Sequence, residues 1–531
     1  MMADDSTGLG RNLVSTRIAP DLLALLAPPE STRSPGIVRK AEQEAPLLPV
    51  LIEGNARMPL GAGQARRLIA LSYARQRAAE PGMDKWIARL ARADDPELPD
   101  IFEPEDKIDL ENSMYTPYYL RAKLSAATLG RLADIKVSMP DVKEPIALVY
   151  KLWHNHAIDR HVFESVRTVK GDAGRSAFSA AGKGIVWAVA DTGIDGRHPH
   201  FLQHDTLKLP DGLDHHDFTG GGSPLSDTDG HGTHVAGIIA GETTIGGPTD
   251  VPANGGVPVK VAQICINRSK RQPNGQVVPD PDLARKEPIS GIAPLCRLVS
   301  LKVLSGGAGG DVGLLLAAIG YIQQVNDNGS KLRIHGLNLS LGYGFDARWF
   351  AAGRSPLCVE VDRLVRSGVA VVVSAGNSGY GPIQALNLSV DQAAHLGTIN
   401  DPGNAEEAIT VGSTHRDEPH NYGVSYFSGK GPTADGRMKP DLVAPGERII
   451  SCAVYDPTKP GDAPFKQDSG TSMAAPHVSG CIAAFLSVRR EFQGRPWDVK
   501  AILKRSASDL GRQQAFQGAG LIDVMRALQS V

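Results

Sequence analysis

Two short apolar runs limit what this chain can fold into. Ile185-Val186-Trp187-Ala188-Val189-Ala190 and Val369-Ala370-Val371-Val372-Val373-Ser374 are of strand length and show almost no polar alternation. A strand apolar on both sides belongs in a sheet covered on both faces, which is the habit of parallel sheets. Further strands are expected at Arg297 to Leu304, Gly336 to Gly342 and Ala408 to Gly412. Helical stretches lie between them, at Val312 to Asn326 and Cys358 to Ser367. Strands alternating with helices predict an α/β fold with a doubly wound parallel sheet. The 531 residues, 41% hydrophobic and 21% charged, suffice for one such core and a smaller domain.

The smaller domain precedes the sheet. Residues 1–46 are rich in proline, serine and charge and read as a flexible arm. Residues 47–156 read as a small α+β unit: strands near Pro49–Glu53, Tyr118–Leu124 and Ile146–Leu152, and helices at Ala65–Ala79 and after Ser125. Residues 157–183 form a linker, and 184–528 the main domain, in which 242–290 holds seven prolines and reads as an irregular insertion. A net charge of −2 gives no reason to expect nucleic acid, and no polybasic helix suggests a membrane surface. The early residues are acidic, the run Leu22–Ala27 is short, and no stretch reads as long enough to span a bilayer. The expected location is cytoplasmic. Five cysteines (265, 296, 358, 452 and 481) have no framework or zinc spacing, and Cys481 reads as a core thiol. Oligomeric state is not legible.

The chemistry gathers at element ends. Asp191 lies just past a buried strand, the edge where α/β sheets build sites. A turn aspartate before Gly193 is the plainer alternative, and Asp195 reads as a surface turn residue of that kind. His231 follows Gly230 at the start of a small-residue helix, where it can face a cleft. His234 reads as a satisfied buried histidine, because no third ligand of metal spacing accompanies the pair. Asn377 sits in Ser374-Ala375-Gly376-Asn377-Ser378-Gly379, after a buried strand, and its amide can donate to an oxyanion. Finally, Asp468 to Gly480 turns at Gly470 into a helix with Val478, Cys481, Ile482, Phe485 and Leu486 apolar. Pro476 is tolerated there if it lies in the first turn. Ser472 then stands where unpaired N–H groups and the positive helix end collect.

A carboxylate, an imidazole, an amide donor and a serine thus each occupy a strand or helix end. Their order is Asp, His, Ser. The nucleophile elbow G-x-S-x-G fails, since Ala474 takes its last position. Val189-Ala190-Asp191-Thr192-Gly193-Ile194-Asp195, His231-Gly232-Thr233-His234-Val235-Ala236-Gly237, Ser374-Ala375-Gly376-Asn377 and Ser469 to Pro476 resemble the motifs of subtilisin-like serine peptidases, the subtilases. Gly291-Ile292-Ala293-Pro294 and Lys439 to Gly446 are similar to further stretches of that family. Sedolisins share the serine motif but carry a glutamate where His231 stands.

The resemblance implies a serine endopeptidase acting on protein or peptide substrates. Ser472 would be nucleophile, His231 general base and Asp191 its orienting carboxylate. Asn377 would line the oxyanion hole. Ser340, Leu341 and Gly342 would pair with substrate backbone, and Ala375 and Gly376 would line the first specificity pocket. Val312 and Leu315 are placed along an outer pocket, with core packing as the alternative. Residues 47–156 resemble a subtilase prodomain, with a permanent accessory domain as the alternative. The family's calcium ligand follows in a His-Pro-Asp run, whereas here the run is His198-Pro199-His200. The family's calcium site is therefore not carried over; Asp227 and Asp229 could bind another cation, with solvated loop charges as the plainer reading, and no cofactor is otherwise expected. A catalytically silent subtilase acting as a binding module is the competing reading.

Overall fold

The computed structural model describes residues 17–19, 22, 26, 47–139, 142, 144–155, 157–160, 165–220, 222–244, 247–252, 258–260, 264–271, 277–285, 288–306, 309–346, 348, 351–384, 390–455 and 463–531. Backbone contacts divide the chain into two compact units. The larger holds residues 157–311, 321–347 and 351–531. The smaller holds the N-terminal residues to 156 together with 312–320 and 348–350.

The larger unit is built on seven strands in the order Leu442–Pro445, Ile409–Thr414, Ala370–Ser374, Gly336–Leu339, Val186–Asp191, Arg297–Lys302 and His216–Asp217. Every neighbouring pair is parallel. Its central strands are buried along their whole length, as their unbroken apolar texture requires. The helix Thr471–Val488 crosses this core, and every residue from Thr471 to Leu486 is buried. By length and composition this helix could cross a bilayer, contrary to the sequence reading, yet 89% of it is buried inside the protein. Its hydropathy reflects a core position. Cys296, Cys358, Cys452 and Cys481 are buried free thiols.

Two stretches are more regular than their composition suggested. Within 242–290, Pro248–Pro252 pairs with Pro258–Lys260, and Ile264–Arg271 with Val277–Arg285, as antiparallel hairpins. Ile264–Arg271 also pairs in parallel with Phe465–Asp468. Val277–Arg285 is left at the sheet edge, where Pro279 and Pro281 forfeit no ladder bond on their outer side. The loop after Gly379 likewise contains a hairpin of Tyr380–Gln384 with Val390–Ala394.

The smaller unit is a four-stranded antiparallel sheet ordered Lys107–Asp109, Tyr119–Leu124, Leu48–Gly54 and Val149–His154. Its longer described helices are Ala62–Gln76, Met83–Leu90 and Ala126–Asp134, the last capped by Ser125 accepting from the Thr128 N–H. Part of the expected loose arm belongs to this core. Ile18 bridges to Leu152, and both Ile18 and Leu22 are buried. Packing on the sheet, rather than any local pattern, draws the two residues out of the proline-rich arm.

One buried ion cluster ties the sheet margin of the larger unit. Asp441 accepts from Lys439 Nζ at 2.6 Å and from the Thr410 N–H at 2.9 Å, with Lys500 Nζ at 3.2 Å. Burial alone would raise its pKa, but the Lys439 and Lys500 ammoniums outweigh burial and hold it well below the ordinary value. Asp441→Asn strands buried cations and should cost about 3–5 kcal/mol in urea unfolding. Because the folded pKa lies below the unfolded value of about 3.9, this contribution is present above that pH. It should be lost as pH falls further, and a wild-type urea midpoint flat across that acid range would contradict the assignment.

Candidate active site

The site lies in the larger unit, at the C-terminal edge of its parallel sheet. The strand Val186–Asp191 delivers Asp191, which is 1% exposed, as its last residue. His231 opens the helix His231–Ile239, and its Nδ1 stands 2.6 Å from Asp191 Oδ1. The helix start is pinned from three sides. Thr192 Oγ1 accepts from the Gly232 N–H at 2.8 Å. A Cβ at Gly232 would fall 2.2 Å from the Gly193 carbonyl oxygen, so only glycine permits this approach. Asp227 supplies the third anchor. Its Oδ1 accepts from the N–H of Gly230 at 2.9 Å, and its Oδ2 from the N–H and Oγ1 of Thr233 at 3.0 and 2.7 Å.

Asp227 was read as a solvated loop charge, and it is instead buried and capping. Asp195, read as a surface turn residue, is buried too; its N–H donates to Thr233 Oγ1. The D-x-x-x-x-x-T spacing of Asp227 and Thr233 around a glycine was a visible, unused signal. His234 is fully buried, and burial, then the Lys466 cation and His231, push its pKa well below the ordinary value. His198 and His200 are buried as well, with burial pulling them down to about 4 and about 3. His200 Nδ1 lies 3.2 Å from Thr243 Oγ1 and its Nε2 3.2 Å from the Gly237 carbonyl oxygen. Both ring nitrogens are thus engaged, and the residue does not fit the oxygen shell of calcium.

Ser472 is the second residue of the helix Thr471–Val488, which packs against the histidine helix. Its Oγ is buried and makes no hydrogen bond among the described residues. Pro476 lies beyond the first turn, not within it as the sequence suggested. A proline there has no N–H for the carbonyl four residues earlier, and that carbonyl belongs to Ser472. The Ser340 hydroxyl donates to it instead. Ser340 Oγ accepts from Asn338 Nδ2 at 2.8 Å, and Asn338 Oδ1 accepts from Ser479 Oγ at 2.8 Å. A closed polar chain thereby fixes the Ser472 backbone to the sheet.

Asn377 docks on the same helix start. Its Oδ1 accepts from the Thr471 N–H at 3.0 Å and from Thr471 Oγ1 at 2.9 Å, which leaves Nδ2 as the donor. Thr471 Oγ1 also accepts from the Gly376 N–H at 3.1 Å. Ala375 is buried, and Gly376 has a φ of 92° against the Asn400 side chain. Leu341–Gly342 forms a short strand, already paired antiparallel with the chain's own Ala157–Arg160. Gly310–Asp311 pairs with the other edge of that segment. Val312 and Leu315 are 1% and 0% exposed in the full chain.

A buried carboxylate–imidazole pair, a serine at a helix start and an asparagine docked on that helix start thus stand on one parallel α/β sheet. The subtilase family profile matches residues 182–520, and the chain belongs to that family. Its class is that of the subtilisin-like serine-type endopeptidases, which take protein or peptide substrates. Serine protease AprX of Bacillus subtilis is 28% identical over 362 residues, covering 66% of this chain and 67% of that protein. Pyrolysin of Pyrococcus furiosus is 29% identical over 336 residues, 57% of this chain and 21% of that protein. The major intracellular serine protease of Bacillus subtilis is 30% identical over 346 residues, 64% of this chain and 81% of that protein.

Ser340→Ala should leave the Ser472 carbonyl unsatisfied and cost about 1–3 kcal/mol. In a Pro476→Ala background the helix can supply its own N–H, so the same change should cost distinctly less. Urea titrations of the four proteins, all carrying Ser472→Ala to prevent self-digestion, measure the coupling. Equal costs in both backgrounds would rule out this account of Ser340.

Proposed function

We propose that this chain cleaves peptide bonds with Ser472 as nucleophile, His231 as general base and then acid, and Asp191 as the orienting carboxylate. The observation that carries this reading is the buried 2.6 Å contact between His231 Nδ1 and Asp191 Oδ1. It fixes the ring so that Nε2 takes the Ser472 proton as Oγ attacks the carbonyl carbon. The tetrahedral oxyanion is received by Asn377 Nδ2 and the Ser472 N–H at the helix start. Collapse expels the amine, which leaves with the proton from His231. Water, deprotonated by the same ring, then hydrolyses the acyl-enzyme. No metal enters any step.

We further propose that residues 47–156 act as a prodomain. The supporting observation is the pairing of Ala157–Arg160 with Leu341–Gly342 on one side and Gly310–Asp311 on the other. A peptide substrate would add to the same edges by β-augmentation. This pairing supports a substrate-like reading of the segment after that unit, and self-cleavage is then expected in 161–164, directly after the paired residues.

Ser472→Ala should abolish turnover, by about 10⁶ in kcat. Asn377→Ala should lower kcat by about 10²–10³ with little change in KM. His231→Ala should be far more damaging than His234→Ala in folded protein; equal losses would refute the choice of base. N-terminal mass spectrometry of wild type and Ser472→Ala tests the second proposal. A new terminus near 161–164 in wild type alone is expected. Intact, fully active wild type would make residues 47–156 an accessory domain.

A further inference from the structure

Lys430 is a buried cation that the reaction just described does not use. It is 2% exposed and makes no ion pair among the described residues. Burial pulls its pKa down to about 8, which leaves it mostly charged at neutral pH. An ammonium removed from water without a counter-anion is costly unless its donors are satisfied. Its three N–H groups meet three carbonyl oxygens, those of Gly379 at 2.9 Å, Tyr426 at 2.8 Å and Ser428 at 3.0 Å. The Phe516 ring, with its centroid 5.5 Å away, adds a cation–π contact.

The place of those carbonyls gives the arrangement its meaning. Gly379 ends the turn that carries Asn377. The Gly379 N–H donates to the Phe427 carbonyl at 2.9 Å, and the Gly429 N–H donates to the Gly376 carbonyl at 2.7 Å. The turn 376–379 is therefore stitched at both ends to 427–430, while Thr471 holds it from the other side. Gly379 admits no side chain, since a Cβ would lie 1.9 Å from the Ser428 carbonyl oxygen and 2.4 Å from Lys430 Nζ. Without the ammonium, three carbonyl dipoles would face one another with no donor between them. The turn would have to open, and the Asn377 amide would move with it.

We propose that Lys430 is a positioning residue for the oxyanion hole: its ammonium draws the Gly379, Tyr426 and Ser428 carbonyls together and so fixes the turn that aims Asn377. The proposal rests on the role given above to Asn377. A residue acting this way changes kcat through Asn377, whereas a residue serving only the fold does not distinguish the two Asn377 backgrounds.

The test is a double-mutant cycle of Lys430→Met and Asn377→Ala in the full chain. Active sites are titrated with a fluorophosphonate, and kcat is expressed per titrated serine. Lys430→Met alone should lower kcat about 10–100-fold, the scale of a small misplacement of a catalytic group, with KM within about twofold. In the Asn377→Ala background the same change should cost less than about threefold. An unchanged kcat per site, or an equal loss in both backgrounds, overturns the proposal. Should Lys430→Met give no titratable protein, Lys430→Gln, which keeps donors without charge, carries the comparison. Failure of both to titrate while Lys430→Arg does would assign Lys430 to folding and overturn its positioning role. Wild type that does not react with the probe would instead sink the proposed peptidase reading.

Discussion

The hydrogen bond between Asp191 and His231 is the constraint around which this site is arranged. It joins the last residue of a fully buried strand to the first residue of a helix, and both partners are nearly inaccessible to water. A carboxylate so placed is tolerable only with close donors. The 2.6 Å approach therefore dictates what surrounds it. The helix must start within contact of the strand end, which excludes any side chain at Gly232 and calls for Thr192 as acceptor. The chain before the helix must turn sharply, at Gly230 with a φ of 91°, and Asp227 holds that turn with both carboxylate oxygens. The places of Thr192, Asp227, Gly230 and Gly232 thus follow from one buried polar contact.

The serine side obeys a different rule. A helix buried along sixteen residues can afford no unsatisfied backbone group, yet Pro476 creates one by construction. The remedy is the chain Ser479–Asn338–Ser340, which ends on the Ser472 carbonyl. Because each member is both held and holding, the position of Ser472 is coupled to the central strand and the helix's third turn. The fixed position of Ser472 is in this sense a by-product of satisfying the core.

Sequence reading captured what depends on local pattern. The parallel strands were legible because burial on both faces leaves unbroken apolar runs, as at Ile185–Ala190 and Val369–Ser374. Asp191, His231, Asn377 and Ser472 could be singled out as candidates because each lies within two residues of a glycine at an element end. What escaped depends on distant partners. Asp227 and Asp195 look like solvated turn acids until the histidine helix folds over them. The hairpins within 242–290 were hidden by prolines that an edge strand tolerates. Ile18 and Leu22 gave no period of their own, and only the sheet they pack on makes them core. Lys430 resembles any surface lysine in sequence; three carbonyls from two separate turns define it.

The short strand Leu341–Gly342 bears on how such a protein is kept in check. An unpaired strand edge is a template for any extended chain, which is useful for taking substrates and hazardous otherwise. Here that edge is paired with Ala157–Arg160, and Gly310–Asp311 closes the segment's other side. The same N–H and C=O groups cannot serve a second peptide at the same time. A tethered segment competes at an effective concentration of about millimolar, since its linkage makes pairing intramolecular. Ordinary peptides would have to exceed that level or bind through better side-chain pockets. Cutting the tether removes the advantage at once, because the released segment then competes only at its bulk concentration. Under the substrate role proposed for Leu341–Gly342, a single peptide-bond cleavage after Arg160 would thus free that edge for an incoming peptide.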